Sequence, residues 1–405
     1  MVKSGNSSPG SVFGAAVTEE GHRVTTLELF FDLAFVFAFT QLSRLMAERH
    51  DAVGILQALV ILALLWWSWT SYSWLANLSH ADEGIVRVAM IVATTAMFVA
   101  GLVVLEAYAD PSGGLFASLV FVGAYLVARV THALVFVAVT WNASPDLRGP
   151  TVLTSVLSVV PSGALLTVGA LVGGSWQLWL GLAAVALEPL VAYRTSAGVD
   201  WPVRSIAHFT ERYGLIVILA LGESIIAVGV GVIAEPITGS ALGGAVVAMA
   251  ITVCLWWAYF TELAGAAERA LVHRHGNRAG RVADDGYTYL HLSLVAGIVL
   301  AALGLEEATA HVATSEPFGP LGAAALGGGT ACYLAGTAFF ARRVIGEWRY
   351  VRLLGASALL ASIPLLAGVA PAIAMLTVAG TLVFLLVLER VARTRPVPVI
   401  EAVSS

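Results

Sequence analysis

Charge is scarce in this chain. Only 12% of its 405 residues are Asp, Glu, Lys or Arg, while 59% are hydrophobic and the mean hydropathy is +0.87. Soluble domains carry about 25% charged residues, so an ordinary water-soluble globule is excluded. Cysteine is scarce as well. Cys254 and Cys332 both fall inside apolar runs, which argues against a disulfide framework or a Cys-based metal site. The net charge is −5, and no basic tract is suited to nucleic acid. Phosphate loops, HExxH zinc patterns and GxSxG nucleophile elbows are missing too. Asp284-Asp285 lacks the spacing that bridges metals to a diphosphate. No metal or cofactor is implied. The first 23 residues are Gly/Ser-rich and polar, without the apolar stretch of a cleavable signal, and read as a disordered tail.

Apolar runs of about 20 residues, the length that crosses a bilayer core, are plentiful. Twelve recur, at 24–46, 53–76, 85–108, 115–140, 150–172, 176–194, 209–233, 241–263, 287–309, 320–341, 350–370 and 371–391. Each must be helical, because lipid offers backbone groups no water. The expected fold is all-α, a polytopic integral membrane protein of about twelve transmembrane helices. With twelve spans, 17 of the 21 Lys and Arg residues fall on the side of the two termini, from Lys3 and Arg23 to Arg393 and Arg395. Arg44 and Arg49 fall opposite, and Arg129 and Arg212 lie within spans. Positive residues favour the cytoplasm, so both termini are expected there, with the chain in a plasma (inner) membrane.

The spans divide into halves that echo each other. Glu28 opens span 1 and Glu211 opens span 7; Trp66-Trp67 and Trp256-Trp257 come late in spans 2 and 8. Pro161 and Pro364 interrupt spans 5 and 11, and Glu188 and Glu389 lie near the ends of spans 6 and 12. The expected organisation is a cytoplasmic tail (1–23), a first six-helix half (24–195), a second (205–392) and a second tail (393–405). Six spans per unit make this a parallel pseudo-repeat, as in several transporter folds.

Two stretches break the apolar rule. Ionisable groups inside a bilayer are costly unless paired or wetted, and so mark candidate sites. Glu28 and Asp32, i and i+4 on span 1, share a face about 6 Å apart along the axis. Two close carboxylates call for a proton or a cation. Alternatively, Glu28 serves the helix N-terminus and Asp32 binds an Arg structurally. On span 7, His208, Arg212 and Glu223 project along nearly one face. Glu223 lies about 18 Å beyond Glu211, near the midplane, where Gly222 and Ser224 would let a helix, ligand or water approach. A packing hydrogen bond from protonated Glu223 is the alternative.

Arg129 and His132, i and i+3 in span 4, are expected to partner Glu223 or Asp32, as a proton relay or as a structural salt bridge. Glu188, before Pro189, reads as structural, and Glu106 and Glu306-Glu307 as wetted interfacial groups. Trp66, Trp67, Trp69, Trp74, Trp256 and Trp257 read as interfacial belts, or less simply as the lining of a cavity. His273, His275 and the nearby Arg residues read as a cytoplasmic anchor.

These motifs resemble the low temperature requirement A (LtrA) family of bacterial membrane proteins. The resemblance rests on Glu28-Leu29-Phe30-Phe31-Asp32-Leu33, on His208-Phe209-Thr210-Glu211-Arg212, and on Gly222-Glu223-Ser224. Asp82-Glu83 followed by Arg87 is similar to the family's acidic-then-Arg pattern, although His80 departs from it. It runs from about residue 20 to about 390. It implies a polytopic membrane protein linked by name to growth in the cold, with no settled molecular activity.

Three functions fit. The first is a transporter-like or ligand-binding protein whose Glu28, Asp32, Arg129, His132, His208, Glu211, Arg212, Glu223 and Ser224 bind a proton, cation, small molecule or lipid. The second is an intramembrane enzyme in which Glu223, Asp32, Glu28 and His132 perform acid catalysis on a lipid or isoprenoid. The third is a structural or regulatory protein supporting growth in the cold. The bilayer is the one partner the composition demands; oligomeric state does not follow from it.

Overall fold

The structure, a computed structural model, describes residues 23–394 apart from 110–115, 144, 196–198, 200, 202, 234–236 and 275–276. Lys3, His275, Arg395 and both expected tails, but for Arg23, Arg393 and Thr394, lie outside the described residues. Among the described residues, twelve helices are long and apolar enough to cross a membrane. They are α1 (Thr26–Arg49), α2 (Ala52–Leu78), α3 (Gly84–Leu102), α4 (Ala117–Trp141), α5 (Pro145–Val172) and α6 (Gly174–Thr195). After them come α7 (Ile206–Ile233), α8 (Gly239–Val272), α9 (Arg278–Ala310), α10 (Gly319–Ile345), α11 (Tyr350–Ala367) and α12 (Pro371–Ala392).

The helices run further than hydropathy alone predicts in two places. The apolar runs 241–263 and 287–309 become α8 and α9, of 34 and 33 residues. Helical π turns at Phe260–Ala264 and Asp284–Leu290 carry the backbone on through Glu262, Glu268, Arg269, Asp284 and Asp285. Charged residues end a hydropathy window, yet they need not end a helix once it has left the hydrocarbon. Two further π turns lie in α10: Ala324–Gly328 interrupts it and Ala341–Ile345 ends it.

The described residues form two compact units. One is drawn from Met1–Arg49, Val53–Ile216 and Leu271–Asp284, the other from His50–Ala52, Val217–Ala270 and Asp285–Ser405. The division falls inside α7.

In the first unit α1 turns Phe31, Phe35, Phe39 and Leu42 inward and leaves Leu29, Phe30 and Leu33 exposed. Both faces are apolar, as expected of a helix that meets protein on one side and lipid on the other. Small residues on α3 (Ala89, Ala93, Ala96, Ala100 and Gly101) let α1 close on it. A Cβ on Gly101 would lie 2.9 Å from Phe37 Cδ1.

In the second unit glycines bring α9 and α10 together backbone to backbone. A Cβ on Gly297 would lie 2.6 Å from Tyr333 N, and one on Gly329 would lie 2.5 Å from Ala301 N. Close approach through small residues is how helices associate where lipid removes the hydrophobic drive.

Candidate functional site

The site in the first unit begins with a helix cap. Thr25-Thr26-Leu27-Glu28 is a capping box: Glu28 N donates to Thr25 Oγ1 at 3.3 Å, and Thr25 N donates back to Glu28 Oε2 at 2.9 Å. Thr25 Oγ1 also donates to Oε2 at 3.0 Å. The same carboxylate faces α7. His208 Nε2 lies 2.9 Å from Glu28 Oε1, and Arg212 Nε lies 3.4 Å from that oxygen. One turn deeper, Arg212 Nη1 reaches Asp32 Oδ2 at 2.7 Å, and Trp69 Nε1 on α2 donates to Oδ1 at 2.8 Å. Nη1 also donates to the Glu28 carbonyl at 3.2 Å, and the guanidinium lies over the Trp69 ring, 5.3 Å from its centroid. Glu28, Asp32, His208 and Arg212 are all fully buried.

The start of α7 is set by Ser205, whose Oγ accepts from His208 N at 3.3 Å, as an N-cap side chain does. Asn77, buried at the end of α2, braces the turn. Its Oδ1 accepts from Arg204 N at 2.8 Å, and its Nδ2 donates to Ser205 O at 2.7 Å. That amide orientation presents Nδ2 to His208 Nδ1 at 3.5 Å, while Nε2 faces Glu28. Two carboxylates face one guanidinium and one imidazole. The quartet is neutral with a protonated imidazole and carries one net negative charge without that proton.

A second cluster joins α4, α5 and α6 in the same unit. Arg129 Nη2 lies 3.0 Å from Glu188 Oε2, while Tyr125 OH and Ser162 Oγ donate to Glu188 Oε1 at 3.0 and 2.6 Å. Arg129 Nη1 donates to Ser71 Oγ at 2.6 Å. The sequence assigned Arg129 to Glu223 or Asp32. The structure gives it to Glu188, because Glu188 on α6 also meets hydroxyls of α4 and α5 and needs a cation to complete its shell. His132 lies with its ring against Tyr72 and Phe136, at centroid distances of 5.3 and 5.2 Å. Its Nε2 makes no hydrogen bond among the described residues.

The remaining expected residues lie elsewhere. Glu211 is exposed, and its Oε2 accepts from Val24 N at 3.4 Å. Glu223 and Ser224 are buried in the second unit. That unit contains an ion pair not anticipated. Arg352, one of the 17 positive residues on the side of the termini, is buried and grips Glu389 through Nε (2.8 Å) and Nη2 (2.9 Å). Trp69 and Asn77 were missed as well. Trp69 was grouped with a belt of tryptophans, yet it is fully buried, and Trp66 nearly so. The Thr25-x-x-Glu28 spacing was the legible sign that Glu28 would be held at its helix end.

Comparison with known proteins decides the family. The family model described as "Bacterial low temperature requirement A protein (LtrA)" matches residues 23–387. The chain belongs to the LtrA family. All four members of the quartet, and Trp69, lie inside that match. A curated relative from Rhizobium meliloti (strain 1021), "Uncharacterized protein RA0937", is 28% identical over 350 residues, covering 85% of this chain and 83% of its own. No solved structure matches. The chain is thus an LtrA-family integral membrane protein with twelve candidate spans among its described residues and with buried charged residues.

Proposed function

We propose that this LtrA protein is a transporter-like, ligand-binding membrane protein whose quartet of Glu28, Asp32, His208 and Arg212 is its proton- or cation-responsive element. One observation carries the reading: a fully buried set of two carboxylates against a single guanidinium, with an imidazole, charged only when protonated, as the fourth member. Uncompensated charge in a low-dielectric interior is costly, so proton uptake at the quartet changes how strongly α1 holds α7. Glu28 is the entry side, since its partner Thr25 is only half-buried and Glu211 nearby is exposed. Asp32, beneath Trp69, is the deep side. Glu223, Ser224, Arg129 and His132 belong to the same reading as groups that would meet the ligand or relay its proton.

Two parallel six-helix halves, 24–195 and 205–392, with both termini cytoplasmic in the bacterial inner membrane, complete it. Support for the halves comes from matching bridges. Tyr72 OH on α2 donates to the Ala128 carbonyl on α4 at 2.9 Å, and Tyr333 OH on α10 donates to the Leu255 carbonyl on α8 at 2.7 Å. Glu188 and Glu389 each take an Arg, though from α4 in one case and α11 in the other.

The test is reconstitution into vesicles holding a pH-sensitive dye, under imposed Na⁺, K⁺ or solute gradients. Proton movement is expected with the wild type and is lost in Glu28→Gln and Asp32→Asn, with folding preserved. Absence of proton movement under every gradient would sink the proposal. A second reading, a structural lock, is favoured by the fact that all four carboxylate oxygens of the pair have partners. It expects both variants to lose thermal stability and nothing else.

A further inference from the structure

At one end of the second unit, a cavity of about 490 Å³ opens between the π turn of α8, the end of α10 and the start of α11. Its charged lining is Glu262, Arg269, Glu347 and Arg349, with Phe260 and Ile345 as apolar walls. Gly346 ends α10 in the left-handed region (φ +94°), open to glycine at little cost, and turns the chain so that Glu347 and Arg349 reach the cavity. Arg349 is also the N-cap of α11, where no side chain caps the free amides. Its side chain is 11% exposed, its Nη2 lies 3.5 Å from Glu347 Oε2, and its Nε is buried without a hydrogen-bond partner. An unpaired guanidinium N–H beside an uncapped helix N-terminus is a ready site for a phosphate oxygen.

Two details fix the level of this cavity. α8 has 34 residues, about 50 Å of helix, against a hydrocarbon core of about 30 Å. The part beyond the core is the end that carries Glu262, Glu268 and Arg269. Trp348 and Tyr350, on either side of Arg349 in the chain, form with Phe339 a row of exposed large aromatics, with centroids 5.8 and 6.1 Å apart, and Arg342 lies over Trp348. Exposed Trp and Tyr collect at headgroup depth. The lining also carries both signs. A purely anionic ligand would meet Glu262 and Glu347, and a cation would meet Arg269 and Arg349.

We propose that this cavity binds the headgroup of a zwitterionic phospholipid, a phosphoethanolamine. Arg349 and the α11 N-terminus hold its phosphate, Glu347 holds its ammonium, and the acyl chains lie along Phe339, Trp348 and Tyr350. The full-length protein in detergent is titrated with phosphatidylethanolamine, with phosphatidylglycerol and with free O-phosphoethanolamine, read by native mass spectrometry and by the thermal midpoint. Phosphatidylethanolamine is expected to bind at least tenfold tighter than either competitor and to raise the midpoint. Arg349→Gln weakens it about tenfold. Glu347 is 67% exposed, so Glu347→Gln leaves the fold intact, and it is expected to erase the preference over phosphatidylglycerol. Equal binding of the two lipids by the wild type would overturn the proposal. So would an unchanged preference in Glu347→Gln, or free O-phosphoethanolamine binding as tightly as the lipid.

Discussion

The two units differ in what holds their most closely joined helices together. In the first, α1 and α7 meet through two acids, an imidazole and a guanidinium, and α4, α5 and α6 meet around Glu188. In the second, glycines let α9 and α10 touch. A neutral Tyr259–His291–Gly286 chain, at 2.8 and 3.0 Å, takes the place of an ion cluster, with Tyr287 stacked on the His291 ring. Phe340 packs on Tyr287 and His291, and three of the π turns in α8, α9 and α10 adjoin this aromatic group: Tyr259 and Phe340 each precede one, and Tyr287 lies within one that His291 follows. Such turns are rare and recur at sites where backbone geometry is adjusted for a purpose. The contrast separates a contact whose strength depends on protonation from one that depends only on shape. Charge glue can be loosened by one proton, and glycine contacts cannot.

The comparison breaks most visibly at Arg212. Arg212→Gln leaves Glu28 and Asp32 buried beside each other without their guanidinium, and removing one member of a buried ionic set costs about 3–5 kcal/mol. The expected outcome is a large fall in the thermal midpoint in detergent, partly restored by acid, because protonating one carboxyl removes the repulsion. A midpoint equal to that of the wild type at neutral pH would show that the quartet does not hold α1 to α7. In the second unit the matching perturbation is bulk. Gly304→Leu puts a side chain where Leu326 already sits, since even a Cβ there would lie 2.6 Å from Leu326 Cβ. Overpacking of this kind costs about 1–3 kcal/mol, and the loss should be the same at acid and neutral pH. A pH-dependent loss would erase the distinction between the two units.

How much of this was legible beforehand follows the same division. The number of spans and the all-helical class are written in hydropathy, because a bilayer leaves the backbone no alternative. The clustering of Glu28 and Asp32 with His208 and Arg212 was half visible: their helix faces follow from periodicity, while the pairing of α1 with α7 is a tertiary fact that no local pattern encodes. Arg129 shows the limit. Its burial was clear from the span around it, but Glu188, Ser162 and Tyr125 come from three helices, and only packing brings them to one point. Arg352 was hidden for another reason. It stands at the mouth of a span, where an arginine normally reads as an interfacial anchor, and its burial against Glu389 depends on α12. The π turns had no sequence sign at all, since apolar and charged residues continue through them without a break.

The smallest effect is expected where the second unit does use charge. Arg352 and Glu389 form a two-pronged pair, and Arg352 Nη2 also donates to the Ala258 carbonyl at 3.0 Å. The desolvation of such a pair nearly cancels its attraction, so replacing both partners by apolar residues of similar volume is often neutral. The double variant Arg352→Met with Glu389→Leu therefore sharpens the comparison. The one loss it must absorb is the bond to the Ala258 carbonyl, worth about 1 kcal/mol. Its thermal midpoint should stay close to that of the wild type, and proton movement in vesicles should be unchanged, because the pair is a balanced cross-brace with no surplus charge. The quartet has no equivalent neutral exchange, since its two acids outnumber its guanidinium. If the Met/Leu double variant abolished proton movement while remaining folded, the responsive element would extend into the second unit, and the division between charge glue and shape would no longer describe this protein.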